Sequence, residues 1–196
     1  YADGGDLGSR ITACRDRPFG EEQVLQWFVQ LALALHHVHE RAVLHRDLKT
    51  QNVFLSTRQT GREAIQLGDF GISRTLSTRT NLAETMCGSP YYLSPELVMG
   101  RPYNQPSDLW AMGVLLYELL TLQLPFSGDN MGALVLRTAQ GQCDAAALAA
   151  ALRAGAAPLL RDLRLQQNPL GDDGAVALAG AIGAGALREL RELRVW

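Results

Sequence analysis

His45-Arg46-Asp47-Leu48-Lys49-Thr50-Gln51-Asn52 is the stretch that decides the fold, and Asp69-Phe70-Gly71 is its companion, 17 positions after Asn52 (52 to 69). Within eight residues the first segment sets a carboxylate, an ammonium and a carboxamide. The second adds another carboxylate, just before a glycine that lets a loop turn without side-chain clash. Val53-Phe54-Leu55 and Ile65-Gln66-Leu67 lie between the two segments, joined by a polar stretch from Ser56 to Glu63. Two short apolar runs separated by polar residues predict a small β-hairpin.

The eight-residue segment matches the catalytic loop of protein kinases, and Asp-Phe-Gly at this distance is its expected sequel. Phosphoryl transfer needs a positioned acceptor hydroxyl, neutralised phosphate charge and held metal ions. Asp47 is the candidate for accepting a hydrogen bond from the hydroxyl and taking its proton late. Lys49 is the candidate for placing positive charge at the transferring phosphate. Asn52 and Asp69 supply oxygen to Mg²⁺, a hard cation that prefers oxygen ligands. Phe70 is expected to pack beneath the site and Gly71 to turn the loop. A strand-to-helix loop with chance polar residues does not account for five fixed positions in eight.

The chain from Tyr1 to about Gly141 resembles a protein Ser/Thr kinase from hinge to mid C-lobe. His45 to Leu55, Gly68-Asp69-Phe70-Gly71-Ile72-Ser73-Arg74 and Cys87-Gly88-Ser89-Pro90-Tyr91-Tyr92-Leu93-Ser94-Pro95-Glu96 are similar to the NIMA-related kinases. Tyr1-Ala2-Asp3-Gly4-Gly5-Asp6-Leu7 resembles their hinge. The resemblance implies ATP and Mg²⁺ as cofactors and protein Ser/Thr hydroxyls as acceptors. It implies that the Ala2 backbone meets the adenine edge, that Asp6 lies near the ribose and that Phe54 lies under the adenine ring. Ser89 is implied to help hold Asp47 and Lys49. Asp108 is implied to anchor the catalytic-loop backbone from below, and His45 is implied to have a structural role. Arg46 is implied to receive an activation-loop phosphate, with Thr85 the best-placed site and Thr80 and Ser77 as weaker ones. Ser94-Pro95-Glu96 stands where the family has Ala-Pro-Glu.

Working outward, Glu21 to Arg41 reads as a long helix. Val24, Leu25, Phe28, Leu31, Ala32, Leu35 and Val38 recur at three- and four-residue steps. Glu21 and Glu22 sit where the helix dipole favours them. His36, His37 and His39 near its end read as a helix terminus rather than a metal site, since no acidic or Cys partner has ligand spacing. Gly4, Gly5 and Gly8 predict a turn into a short helix. Residues 72–92 predict an exposed loop. Pro106 to Leu122 predicts a buried helix with Leu109, Trp110, Gly113, Leu116, Tyr117 and Leu120 on one face, and Val114 and Leu115 extending the apolar surface.

After about residue 142 Ala, Leu and Gly dominate. Leu160-x-x-Leu163-x-Leu165-x-x-Asn168-x-Leu170 fits the leucine-rich repeat pattern, and Leu190-x-x-Leu193-x-Val195 restarts it 30 residues later. Gly171 to Ile182 reads as the helix of the repeat, and residues 145–157 as that of a preceding one. The alternative is an Ala-rich amphipathic helical tail. The expected fold is mainly α: a protein-kinase-like C-lobe, helical with a small β-hairpin and lacking the N-lobe, over residues 1–141, then partial α/β leucine-rich repeats over 142–196.

Net charge is -2, from 18 basic and 20 acidic residues. This makes no electrostatic case for nucleic acid or a polybasic membrane anchor. Cys14, Cys87 and Cys143 are odd in number and widely spaced, as in reduced cytosolic thiols. Hydrophobic content is 47% and charged content 19%, which is enough to bury a core. No apolar run reaches the roughly 18 residues of a membrane helix. The expected compartment is the cytoplasm, with nucleus and cytoskeleton as alternatives. The expected partners are a protein substrate and a protein bound by the repeats.

The family's Gly-rich loop, strand lysine and helix glutamate are expected upstream of Tyr1, and the arginine that pairs with the Glu of Ala-Pro-Glu is expected to be missing. Glu96 is thus expected to be a buried charge without its partner, at a cost of several kcal/mol. A truncated kinase, inactive alone, is the first reading. A kinase-remnant and repeat scaffold that binds partners is the second, and a join of two neighbouring genes near residue 142 the third.

Overall fold

The computed structural model describes residues 2–14, 17–56, 63–69, 90–141, 145–155, 158, 160–164 and 171–194. The chain enters by laying Gly4 and Gly5 against a strand. Gly4 N–H donates to Leu55 O (2.9 Å) and Leu55 N–H to Gly5 O (2.8 Å). A Cβ on Gly4 would stand 2.8 Å from the Cβ of Leu55, so this approach requires glycine. Asp6 then caps helix α1 (Leu7–Cys14) by accepting from Ser9 N–H (2.8 Å) and Ser9 Oγ (2.7 Å).

Helix α2 (Glu21–His39) buries Val24, Trp27, Leu31 and Leu35, a stripe at three- and four-residue steps. Leu25, expected on that face, is instead 50% exposed. It follows Val24 by one position, which turns it about 100° away around the helix. A 3₁₀ turn (Thr50–Asn52) leads into β1 (Val53–Ser56), which pairs antiparallel with β2 (Ala64–Leu67), Val53 opposite Leu67 and Ser56 opposite Ala64. This is the expected hairpin. A second 3₁₀ turn (Pro90–Tyr92) precedes α3 (Pro95–Val98).

Helix α4 (Gln105–Thr121) starts at a capping box of Asn104 and Ser107 and ends at Leu122 in the left-handed region. Its buried residues are Ser107, Asp108, Ala111, Val114, Leu115 and Leu119. The expected face is therefore displaced: Leu109 is half exposed and Gly113 exposed. The helix is apolar nearly all round, so its periodicity does not choose a face, and packing against α2 does. Helix α5 (Met131–Gln140), capped by Asn130, closes this part by packing against α3. One core joins α1, α2, β1, α4 and α5. Each fully buried leucine in it, such as Leu31 or Leu115, contributes about 1.5–3 kcal/mol.

A second apolar cluster, Ala149, Leu152, Leu178, Ala181 and Leu187, joins α6 (Ala145–Arg153) to α7 (Gly171–Gly183). Strands β3 (Asp162–Arg164) and β4 (Glu192–Arg194) pair in parallel, Leu163 opposite Leu193, an offset of 30 residues (193 − 163). α7 is the crossover between them, as a parallel pair requires. Among the described residues no helix is long and apolar enough to cross a membrane.

Candidate active site

The site is built on one buried carboxylate. Asp108, in the first turn of α4, is fully buried. Its Oδ2 accepts from His45 N–H (3.0 Å) and lies 2.7 Å from His39 Nε2. Its Oδ1 accepts from Arg46 N–H (3.1 Å) and from the Tyr103 hydroxyl. Arg46 is held at φ 69°, in the left-handed region that costs a non-glycine residue about 1 kcal/mol or more. The two amide bonds to Asp108 hold that turn, which carries Asp47 out of the core.

His45 is fully buried between the two motifs. Its Nδ1 accepts from Asp47 N–H (3.4 Å), so Nε2 carries the proton and donates to Gly68 O (3.0 Å). Burial lowers its pKa below 6.5, against the opposing pull of the Gly68 carbonyl and of Asp108, Asp47 and Asp69. A neutral imidazole thus ties the catalytic loop to the residue preceding Asp69.

Asp47 gathers the polar groups. Lys49 Nζ donates to its Oδ2 (2.8 Å), while Asn52 Nδ2 donates to its backbone O (2.7 Å) and to Oδ2 (3.0 Å). The amide nitrogen of Asn52 is thereby committed, which leaves Oδ1 as its remaining polar atom. Gly68 N–H donates to Asn52 O (3.0 Å) and places Asp69 next to this amide. Asp69 is also left-handed, at φ 50°, and its exposed carboxylate has no hydrogen-bond partner among the described residues. Two hard oxygen donors without hydrogen-bond partners among the described residues fit Mg²⁺, which keeps several waters and phosphate oxygens of its own.

Phe54, in β1, packs its ring against Gly68: a Cβ there would stand 2.6 Å from Cε2 of the ring. Asp6 pairs with Phe54 across an isolated antiparallel bridge, which sets residues 4–6 beside the hairpin. Ala2 lies at the start of that segment. Phe70, Gly71, Ser89 and the candidate phosphosites Thr85, Thr80 and Ser77 lie outside the described residues, as do Cys87 and Cys143.

Glu96 departs from expectation. It is half-buried rather than buried, and the Ser107 hydroxyl donates to it. Desolvation pushes its carboxyl up, but the Ser107 bond, its own backbone N–H and the nearby Arg101 outweigh that and hold it below the usual range. Among the described residues the carboxylate is met by the Ser107 hydroxyl at the start of α4 and by the charge of Arg101. His36 and His37 lie beside Glu40 and Arg41, within one turn of the terminus of α2.

The residue-by-residue reading missed a second network. Thr50, fully buried inside the catalytic loop, lies 3.0 Å from the Tyr92 hydroxyl, which donates to Glu118 of α4. Burial drives the Tyr92 phenol and the Glu118 carboxyl both upward. Glu118 was detectable in principle. Apart from Asp108 it is the sole charged residue of α4, and a carboxylate in an apolar helix announces a buried partner.

A family model described as the protein kinase domain matches residues 1–153. Serine/threonine-protein kinase Nek5 of Mus musculus is 52% identical over 142 residues, which are 72% of this chain and 22% of that protein. Serine/threonine-protein kinase nekl-2 of Caenorhabditis elegans is 40% identical over 179 residues, 88% of this chain and 42% of that protein. Among solved structures, Rad53 1–466 in complex with AMP-PNP superposes with a TM-score of 0.64 at 28% identity, covering 77% of this chain and 36% of that one. The chain belongs to the protein kinase family, whose members use ATP and Mg²⁺. Within that family it falls with the NIMA-related Ser/Thr kinases. It spans under a quarter of the Nek5 protein and under half of nekl-2.

Proposed function

We propose that this chain carries the acceptor side of a protein Ser/Thr kinase site, which transfers the γ-phosphate of ATP to Ser or Thr hydroxyls of a protein substrate. The observation that carries the reading is the convergence of Lys49 and Asn52 on Asp47. Asp47 orients the acceptor hydroxyl and takes its proton as the bond to phosphorus forms. Lys49, 2.8 Å from Asp47, stands where charge develops on the transferred group. Asn52 and Asp69 would hold Mg²⁺, which when bound neutralises the phosphate oxygens. The Ala2 backbone and Phe54 would line the adenine and Asp6 the ribose. Arg46 would pair with a phosphate on Thr85. Ser89 would steady Asp47 and Lys49.

Lys49 is the single lysine of the 196 residues, and it is already bonded to Asp47. No second lysine is present to hold nucleotide phosphates from the opposite side, as the strand lysine does in kinases. The isolated chain is therefore expected to show negligible phosphotransfer. Robust Mg-ATP-dependent phosphorylation by these residues alone, abolished by Asp47→Asn, overturns that expectation. Failure of a chimera that joins these residues to a kinase segment bearing a Gly-rich loop and a strand lysine to phosphorylate any Ser or Thr peptide overturns the kinase reading.

A second reading concerns residues 142–196. The parallel β3–β4 pair with its 30-residue offset and its separate apolar cluster support leucine-rich repeats that bind a protein partner, a scaffold role beside the kinase segment. The cytoplasm remains the proposed compartment.

A further inference from the structure

Helix α6 is buried on two sides that belong to different parts of the molecule. Ala149 and Leu152, 0% and 2% exposed, face α7 within the second apolar cluster. Ala151 is buried too, at 4%, but stands outside that cluster. Each residue turns a helix by about 100°, so Ala151 points nearly opposite to Ala149. Helix α4 packs against α6 as α7 does, and it accounts for the burial of Ala151. The protein kinase match covers residues 1–153 and so ends on Arg153, the last residue of α6. One helix thus closes the kinase segment and opens the repeat segment.

The composition of α6 suits this double packing. It holds six alanines in nine residues. Alanine is the strongest helix former, and its small side chain lets neighbouring backbones come close. On α7 the fully buried Ala181 and the adjoining Gly180 answer it: a Cβ on Gly180 would stand 3.3 Å from Nη1 of Arg153. A nine-residue helix is shorter than the roughly 12–15 residues that hold in water alone, so packing sustains it. The repeat cluster is small as well. Among the described residues it has five buried side chains and two strands of three residues, less than the roughly three repeats a free solenoid needs. Both α6 and the cluster behind it therefore lean on α4. That helix carries Asp108 in its first turn, where it holds the amides of His45 and Arg46.

We propose that α6 couples the two segments into one folding unit, in which the repeat segment braces α4 and, through Asp108, the catalytic loop. The packing of the repeats then sets how firmly Asp47 is held. The coupling rests on helix packing alone, and its test requires neither phosphotransfer nor a bound partner.

The test is hydrogen exchange of single amides in the 196-residue chain, read by NMR, with calorimetry beside it. Ala181→Asn, in the seam between α6 and α7, is expected to speed exchange at Leu115 and Leu119 of α4 and at His45 at least ten-fold. Ala181→Ser, a milder change that keeps the chain folded, is expected to speed it at least three-fold. Val176→Asn, on the same helix but 72% exposed, is expected to leave those amides within two-fold. Coupling between sites is reciprocal, so Leu115→Ala in α4 is expected to speed exchange at Leu178 of α7 at least ten-fold. Ala151→Ser, in the seam between α4 and α6, is expected to speed exchange in both helices. Calorimetry of the unaltered chain is expected to give one endotherm. The proposal is overturned if the Ala181 variants change exchange in α7 while α4 and His45 stay within two-fold, or if Leu115→Ala leaves Leu178 within two-fold. It is also overturned if Val176→Asn acts as strongly as Ala181→Asn, or if the unaltered chain melts in two separate endotherms.

Discussion

Replacing Asp108 by Asn tests the central claim that one buried carboxylate shapes the catalytic loop. The substitution keeps size and one acceptor oxygen but converts the other to an NH₂ group. Asp108 serves four donors, two per oxygen: His45 N–H and His39 on Oδ2, Arg46 N–H and Tyr103 on Oδ1. Whichever way the amide turns, one backbone N–H and one side-chain donor face a group that cannot accept. A buried donor left without a partner costs about 1–3 kcal/mol. Two such losses, softened by local relaxation, give an expected destabilisation of about 2–4 kcal/mol. For a chain of this size that lowers Tm by roughly 5–15 °C. The assay is urea unfolding followed by tryptophan fluorescence, with hydrogen exchange at His45 and Arg46 in parallel. Those two amides are expected to lose protection well before the core of α2 does, because Arg46 at φ 69° has no intrinsic reason to stay left-handed. A loss below about 1 kcal/mol with unchanged protection of both amides refutes the reasoning.

Three further outcomes follow from neighbouring geometry. His45 is held neutral in the fold, so its contribution is fully present above the unfolded pKa of 6.5 and is lost as pH falls below that value toward the lowered folded one. The difference in unfolding free energy between the unaltered chain and His45→Gln should shrink by up to about 1.4 kcal/mol per pH unit below 6.5, and parallel pH profiles would sink this. Tyr92→Phe removes one of the two side-chain donors to Glu118 and leaves Thr50 as the other, so urea midpoints should report a loss of about 1–2 kcal/mol; a change under 0.5 kcal/mol contradicts the network. Gly68→Ala pushes a methyl into the Phe54 ring and should cost about 1–3 kcal/mol. By contrast, Gly113→Ala, with nothing within 4 Å of the added carbon, should stabilise α4 by about 0.5–1 kcal/mol; calorimetry that finds the two alike refutes the packing argument.

The catalytic loop was legible because its chemistry demands particular groups at fixed spacing. Asp47, Lys49 and Asn52 lie two to five positions apart, and the local backbone leading into the 3₁₀ turn brings them together. The hairpin was legible for a similar reason: two apolar runs flanking polar residues leave few alternatives. The helices expected over Glu21–Arg41, Pro106–Leu122 and Gly171–Ile182 lie within two residues of α2, α4 and α7, whereas the one expected over 145–157 ends at Arg153 and α3 and α5 were not expected.

Other features depend on residues far apart in the chain. Asp108 reaches His45 across 63 positions, and Tyr92 reaches Glu118 across 26. No local pattern marks such a pair, because a hydrogen bond records distance in space and not in sequence; the family resemblance implied the Asp108 anchor, and nothing implied the Tyr92–Glu118 pair. The apolar residues of α2 and α4 told that both helices are buried, but not which residues face inward. Leu25 and Leu109 were expected inside and lie at the surface, since a helix apolar on several sides offers its neighbours more than one face. Glu96 was expected to lack a partner because the family pairs this glutamate with an arginine, whereas the fold supplies Ser107, eleven positions away. The amino-acid sequence by itself thus determined the class of chemistry and the order of elements, which follow from residue type and short-range spacing. Only the tertiary structure decided which faces meet, which charges are compensated and how Arg46 and Asp69 are held in left-handed turns, because those follow from the packing of the whole chain.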